Sequence, residues 1–266
     1  MRSRSTIVLL SIGLVLAACG APAGESPDAV GEDEPLLQVL SEGGFAPVEV
    51  ILNVAPRYTL LGDGRLIHPG FQTLEYPGRL VPPYLVAQLD DTQVAEILDL
   101  VERIGLEDIE DETDDSAMDM VADATTEVIK FWDDQGQHRL AVYALGIQES
   151  PSDRNLALLE LIGTIDGFLV EAEAEPYEPD RVRVIAGPDA IDPQFEEVRP
   201  WPLEDTDLSV WTELANGWRC EVFDGSVLTT FDDATQATTW ESPDGTGEPV
   251  QLLVRGLHPG EPDCPS

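Results

Sequence analysis

The sequence predicts an α+β fold in which antiparallel β-hairpins pack against amphipathic helices, followed by a smaller C-terminal region closed by a disulfide. Two segments that favour β-strands flank the turn Gly62-Asp63-Gly64, which is a strong hairpin signal. The order hairpin, helix, hairpin, helix then runs along the chain and suggests a two-fold structural repeat. The pair Cys220 and Cys264 supplies the predicted disulfide.

The N-terminus has the pattern of an export signal. Arg2 and Arg4 precede an apolar run of about a dozen residues, too short for the ~20 that span a bilayer. The run ends in Leu-Ala-Ala-Cys at 16–19, which resembles the lipobox of bacterial lipoproteins. This resemblance implies cleavage between Ala18 and Cys19 and lipidation of the Cys19 thiol, with acyl chains such as palmitate. An ordinary secretory signal with an incidental cysteine is the alternative.

The predicted organisation has four parts. Residues 1–18 are the lipoprotein signal peptide, and residues 19–45, rich in Gly, Pro, Ala and acidic residues, form a flexible tether. Residues 46–170 form an α+β domain of two hairpin-helix units, and residues 171–266 form the disulfide-closed C-terminal region. A short helix is expected within the tether at the apolar cluster 36–40.

The first unit combines strands with one strongly amphipathic helix. The predicted strands are 48–54, 57–61 and 65–68. The helix is capped by Asp90 or Asp91, carries apolar residues at helical spacing, and ends at Gly105. Its single apolar stripe predicts that it covers a sheet.

The second unit follows an acidic segment, 107–123, which is expected to be a loop. Strands at 125–132 and 138–145 form a second hairpin, and Pro151-Ser152 opens a second helix. Residues 171–180 have the composition of a linker. Further strands are predicted at 181–186, 218–223 and 250–254, and a short helix at 231–239.

The charge of the chain excludes one class of partner. The chain carries 52 acidic and 14 basic residues, and cleavage after Ala18 would leave 12 basic residues. Nucleic-acid binding needs basic patches, so no nucleic-acid partner is expected. Anionic lipid headgroups should repel such a body, which makes a covalent anchor at Cys19 more necessary.

The cysteine count fits a lipid-modified Cys19. With that residue assigned to lipid, Cys220 and Cys264 form an even pair in a compartment that permits oxidation. Two free thiols or a two-cysteine metal site are the alternatives, and only the lone His258 lies nearby.

The body of the chain also resembles a known group of proteins. The hairpin-helix layout, with YTLLGDGRLI at 58–67 and AVYALG at 141–146, is similar to lipoproteins and secreted proteins of high-GC actinobacteria. The resemblance includes the segment around Trp240 and the late Cys264. That group carries no established activity, so the resemblance implies no site residues.

Catalytic and metal-binding motifs are weak throughout the sequence. His68, His138 and His258 are isolated, and no nucleophile or phosphate-loop pattern occurs. Asp111, Asp114 and Asp115 are weak calcium candidates, because the acidic segment offers oxygens but lacks the spacing of a calcium loop. No cofactor is predicted.

The sequence therefore predicts a location more clearly than an activity. We expect a lipoprotein anchored through Cys19 at the extracytoplasmic face of the cell membrane, with an interaction, binding or envelope role and no catalytic residues. An extracytoplasmic hydrolase that uses carboxylates is the alternative, although no pair of acids stands out. The sequence identifies no protein or small-molecule partner.

Overall fold

A computed structural model describes residues 31–265, except 73–75, 120, 149, 189–196, 205, 244 and 246. Two sheets and three α-helices form the fold, so the predicted α+β class is confirmed. The helices are α1 (Val48–Leu52), α2 (Asp91–Ile104) and α3 (Asp153–Glu171). None of the helices in these residues is long and apolar enough to cross a bilayer.

The first sheet has eight strands. They are β1 (Pro35–Gly43), β2 (Tyr58–Leu61), β3 (Arg65–Pro69), β4 (Tyr84–Gln88), β5 (Asp111–Asp114), β6 (Thr125–Asp133), β7 (Gly136–Tyr143) and β8 (Ala174–Pro176). Their order is β5-β7-β6-β1-β2-β3-β4-β8, and every pair is antiparallel except β5 with β7. The strand β8 comes from beyond residue 171, so the predicted C-terminal region contributes to this sheet.

The second sheet has six strands. They are β9 (Arg181–Pro188), β10 (Glu197–Arg199), β11 (Thr212–Glu213), β12 (Arg219–Asp224), β13 (Thr238–Trp240) and β14 (Val250–Gly256). Their order is β10-β13-β14-β9-β12-β11, and only β10 with β13 is parallel. A core that includes Trp211, Phe231 and Trp240 packs on this sheet, with Leu80 from the loop after β3.

The locally encoded elements match their predictions. The turn between β2 and β3 contains Gly64 with φ of 84°, a conformation that glycine adopts easily. The side chain of Asp90 caps α2, and Gly105 ends it in the left-handed region. Ser152 caps α3 through a bond from the Asn155 N–H. Both helices pack on one face of the first sheet.

Two predictions near the N-terminus are wrong. Residues 36–40 belong to the central strand β1 rather than to a short helix, and the predicted tether, 19–45, therefore cannot extend through this strand. Leu37 and Val39 pack with α2 and α3, while Leu40 packs on the opposite face with Val128. Apart from Gln38, the segment 36–40 is apolar on both faces, which hides the period of a strand.

Residues 48–54 differ from the prediction as well. They contain α1 instead of a strand, and Val50 and Ile51 on this helix are exposed. Val54, just after α1, packs against Leu40. The loose alternation of the segment therefore does not correspond to pairing in a sheet.

Three later predictions also need correction. The acidic segment 107–123 is not wholly a loop, because β5 pairs with β7 inside it. Residues 171–180 include the end of α3 and the strand β8, so they are not a simple linker. Residues 231–239 do not form a helix: a 3₁₀ helix, Gly225–Phe231, ends there and β13 begins at Thr238.

Candidate functional site

A C-terminal strap, residues 257–265, joins the two sheets. It leaves β14 and crosses the first sheet, where the Gln38 side chain donates from Nε2 to the Pro259 carbonyl over 2.8 Å. A Cβ on Gly260 would lie 2.7 Å from Cγ of Pro35. The glycine therefore allows the strap to lie close against the start of β1.

A buried ion pair fixes the strap to the second sheet. Arg255, near the end of β14, donates to the two carboxylate oxygens of Glu261 over 2.6 and 2.8 Å. Burial raises the pKa of Glu261, but the hydrogen bonds and positive charge of Arg255 outweigh burial and hold this pKa below its ordinary value. The carboxylate is therefore ionised, and the pair has the strong bidentate form.

The ion pair also forms hydrogen bonds to the segment after α1 and to the start of the strap. The Arg255 guanidinium donates to the carbonyl of Val54 over 2.7 Å, just after α1. Glu261 accepts a further bond from the backbone N–H of His258 over 2.8 Å. One network therefore links the strap, the second sheet and the segment that follows α1.

His258 lies at the centre of this junction and has no exposed surface. Its Nδ1 is 2.9 Å from Oγ1 of Thr59 on β2. Two tyrosine rings lie nearly perpendicular to its imidazole, with centroids at 4.7 Å for Tyr84 and 5.6 Å for Tyr177. Its Nε2 has no hydrogen-bond partner among the described residues. The site therefore accepts a neutral imidazole and offers little to a charged one.

Acidification is expected to destabilise the fold through His258. Burial lowers the pKa of His258 to about 4, and the charge of Arg255 adds to burial although Glu261 opposes it. Its stabilising contribution is therefore complete above the unfolded pKa of about 6.5 and is lost as the pH falls to about 4. At 1.36 kcal/mol per pKa unit, the loss is about 3 kcal/mol. The free energy of unfolding, measured in urea across this pH range, should therefore fall less steeply for His258→Asn than for the wild type.

His138 provides a control, because its contribution to stability changes with pH in the opposite direction. Burial lowers its pKa, but the carboxylate of Asp133 at 3.0 Å and the carbonyl of Ile109 outweigh burial and raise it. Its contribution is present below the unfolded pKa and is lost as the pH rises, so His138→Gln should steepen the acid loss. If both variants changed the acid loss in the same direction, the assignment to His258 would be wrong.

A cleft of about 850 Å³ lies where the two sheets meet, next to this junction. Its walls come from the end of β1, from α1 and residues 53–55, from the loop between β3 and β4, from Gln236 just before β13, and from β14. Val54, Leu252 and Leu253 contribute apolar surface. The volume is within the range of about 300–1,000 Å³ that is usual for ligand sites.

Neutral hydrogen-bonding groups dominate the polar part of the cleft. Four amide side chains line it: Asn53, Gln72, Gln236 and Gln251. Oδ1 of Asn53 and Oε1 of Gln251 are shielded from solvent and have no partner among the described residues. An unpaired buried acceptor costs about 1–3 kcal/mol, so these two oxygens are a local cost to the fold.

The charge of the cleft differs from that of the whole chain. The chain carries 52 acids and 14 basic residues. On the described walls of the cleft, Glu49 is the one carboxylate and Arg79 the one cation. The acidity is therefore concentrated elsewhere on the surface, and the cleft is close to neutral.

Exposed apolar side chains stand on the segments that form the cleft. Phe45, between β1 and α1, is 92% exposed, and Phe71, next to Gln72 of the wall, is 98% exposed. Val50 and Tyr76 of the walls are also more than half exposed. Apolar groups around a cleft are typical of a binding surface.

The predicted disulfide is confirmed. Cys220 on β12 is bonded to Cys264, with 5.9 Å between the Cα atoms, and this bond holds the end of the strap. Arg183 on β9 donates to the carbonyl of Asp263 over 2.8 Å and strengthens the same attachment. Trp218 packs beside the disulfide, so it supports the core rather than a ligand site.

The structure does not gather the calcium candidates into a metal site. Asp111 pairs with Arg139 over 2.9 Å, and Asp114 accepts from the Ser116 N–H over 3.0 Å. In the described part of the chain, no group of three or more His, Cys, Asp and Glu could hold a metal ion. Calcium binding by Asp111, Asp114 and Asp115 stays a prediction.

Two smaller concavities are less suited to a functional proposal. One of about 430 Å³ includes Pro188 and so borders residues 189–196, which are not described. Another of about 270 Å³ lies around Asp114 and Asn155. The lipobox residues Ala18 and Cys19 lie outside the described residues.

Sequence reasoning missed the network at the sheet junction. It treated His258 as a lone histidine, and it named neither Arg255 nor Glu261. Glu261 follows His258 by three residues, but Thr59 and Val54 are about two hundred residues away in the sequence. No local pattern identifies such partners.

Comparison with known proteins identifies no relative of this chain. No family model matches this chain. Searches of curated proteins and of solved structures likewise found no match. The geometry of the cleft is therefore the basis for a functional proposal.

Proposed function

We propose that this protein is an extracytoplasmic lipoprotein, anchored in the cell membrane through Cys19, whose body binds a ligand in the cleft between the two sheets. The observation that carries the binding role is the cleft itself. It combines about 850 Å³ of space with four amide side chains and the exposed apolar side chains of Val50 and Tyr76. Convergent polar groups beside apolar surface are usual features of a binding site.

A network of hydrogen bonds holds the wall of the cleft in place at Val54. Val54 in the wall is held by Arg255, and Arg255 is held by Glu261 of the strap. The Cys220–Cys264 disulfide fixes the end of the strap. A preformed site loses less conformational entropy on binding than a flexible one, so this network favours ligand binding.

A hydrolase that uses carboxylates receives no comparable support. Such an enzyme needs two acids facing each other across the substrate. The described walls of the cleft carry one carboxylate, Glu49. Binding without catalysis is therefore the function that we propose.

One preparation tests both parts of the proposal. The wild-type protein should fractionate with native membranes, and Cys19→Ser should move it to the soluble fraction because the acyl anchor is lost. Mass spectrometry of the purified wild type should identify a bound ligand. That ligand should be depleted in Gln236→Trp, in which a bulky indole projects from a wall of the cleft.

Gln137→Trp is the matched control, since Gln137 is an exposed residue of β7 away from the cleft. It should retain the ligand. Membrane association that survives Cys19→Ser with unchanged electrophoretic mobility would exclude the anchor. Equal ligand recovery from the Gln236 and Gln137 variants would exclude the cleft.

A further inference from the structure

The edge of β1 is only partly covered by its neighbours. On one side β1 pairs with β6 as far as Gly43. On the other side its pairing with β2 ends at Val39. Residues 40–43 therefore have a strand on one side only, in the middle of an eight-stranded sheet.

The sequence explains why β2 leaves β1 at this point. The last backbone bond runs from the Arg57 N–H to the Val39 carbonyl over 2.7 Å. Continuing the register, in which Val39 faces Tyr58, would place Pro56 opposite Ser41. Proline has no N–H to donate, so the ladder cannot continue, and the chain turns away towards α1.

The uncovered edge faces the cleft. Backbone groups of alternate residues point to the same side of a strand, so the N–H and carbonyl of Ser41 point the same way as the Val39 carbonyl. Ser41 lines the cleft. Among the described residues, its main chain has no backbone partner on that side.

We propose that the cleft binds an extended peptide segment, which adds to β1 beside Ser41 as a further strand. This inference rests on the proposed binding function and specifies its ligand class. Strand addition supplies main-chain hydrogen bonds, and pockets for alternate side chains supply selectivity. The β1–β2 ladder ends beside Pro56, which leaves main-chain groups of β1 that an added strand would pair.

The polar groups of the walls suit a peptide. An amide side chain offers both donors and acceptors, as a peptide group does. The amide side chains of Gln72 and Gln236 line the cleft and can pair with N–H and carbonyl groups of the peptide. The exposed rings of Phe45 and Phe71 offer apolar contacts for side chains near the rim.

The charges near the open edge and on the whole chain indicate which peptides should bind. Glu42 on β1 and Glu49 on α1 are close in sequence to the open edge, and the whole chain has a formal net charge of −38. Arg79 is the one cation on the described walls. A neutral or basic peptide is favoured, whereas an acidic one is repelled, and added salt should weaken the binding of a basic peptide.

The test begins with selection of peptides from a random heptapeptide phage library on the full-length protein purified in detergent. Synthetic copies of the selected peptides are then measured by fluorescence anisotropy. Ser41→Pro removes the N–H that the proposal uses, and Ser41→Ala keeps it. We expect about tenfold weaker binding to Ser41→Pro, because a main-chain hydrogen bond is lost, and a change within about twofold for Ser41→Ala.

A second measurement uses the wild-type protein, so it does not depend on the folding of a variant. Each peptide N–H is methylated in turn. Methylation at the alternate positions that face β1 should weaken binding about tenfold, whereas methylation at some intervening positions should be tolerated. Equal tolerance at all positions would overturn strand addition.

The outcomes separate this inference from the function on which it rests. If no peptide binds but a native ligand is recovered from the wild type and depleted in Gln236→Trp, the peptide class is wrong and the cleft function stands. If peptides bind but Ser41→Pro and Ser41→Ala have equal affinity, strand addition is wrong. If neither a peptide nor a native ligand binds in the cleft, both proposals fail.

Discussion

Replacing Arg255 with methionine is expected to destabilise the protein by about 3–5 kcal/mol, because it leaves the Glu261 carboxylate buried without a countercharge. Arg255 is 1% exposed, and the side chain of Glu261 is 7% exposed. The change also removes the bond to the Val54 carbonyl. Urea unfolding at about pH 7, followed by circular dichroism, measures the loss.

An exposed ion pair provides the matched control. Arg103 on α2 pairs with Glu160 on α3, and about half of each side chain is exposed. Arg103→Met should lower the free energy of unfolding by less than about 1 kcal/mol, because solvent screens such a pair. A loss for Arg255→Met no larger than that for Arg103→Met would contradict a buried, ionised pair.

A double replacement separates the cost of an orphan charge from the value of the pair. Arg255→Met combined with Glu261→Met removes both charges, so the buried carboxylate no longer lacks a partner. We expect the double variant to be more stable than Arg255→Met alone. A double variant that is less stable would show that the loss arises from packing rather than from charge.

The parts of the fold that the sequence predicts well are those with local physical causes. The turn at Gly62-Asp63-Gly64 needs a residue with positive φ, and Gly64 has it. The helix α2 carries its own start and stop, in the cap of Asp90 and the left-handed Gly105. These signals act within a few residues, so they can be recognised without knowledge of the tertiary structure.

The errors occur where distant neighbours decide the conformation. The apolar run 36–40 is compatible with a helix until β2 and β6 are placed on either side of it. The segment 48–54 could form a strand, but no strand among the described residues pairs with it, and α1 forms instead. Partners between about 20 and 100 residues away determine the first outcome, and the lack of a partner among the described residues accompanies the second.

The candidate site was harder to predict than the fold. Its walls come from five separate segments, and amides such as Asn53 and Gln251 have no characteristic spacing in the sequence. The open edge at Ser41 depends on the absence of an N–H at Pro56, which matters only once the register of β1 and β2 is known. The disulfide was predictable, since it rests on the count of cysteines.

Removing the disulfide is expected to lower the free energy of unfolding by about 4 kcal/mol. Cys220 and Cys264 close a loop with a sequence separation of 44, and the chain-entropy model gives this size of effect. Cys220→Ala combined with Cys264→Ala avoids leaving a free thiol. Urea unfolding measures the loss, and reduction of the wild type should lower the midpoint to that of the variant. An unchanged midpoint would contradict a contribution from the bond.

The disulfide and the ion pair should not act independently, because both hold the strap. Glu261 lies between the crossing at Gln38 and the covalent end at Cys264, so a strap released at one end holds Glu261 less firmly against Arg255. Combining the cysteine replacements with Arg255→Met should therefore cost less than the two losses added together. Losses that add within about 0.5 kcal/mol would mean that the two attachments stabilise separate parts of the fold.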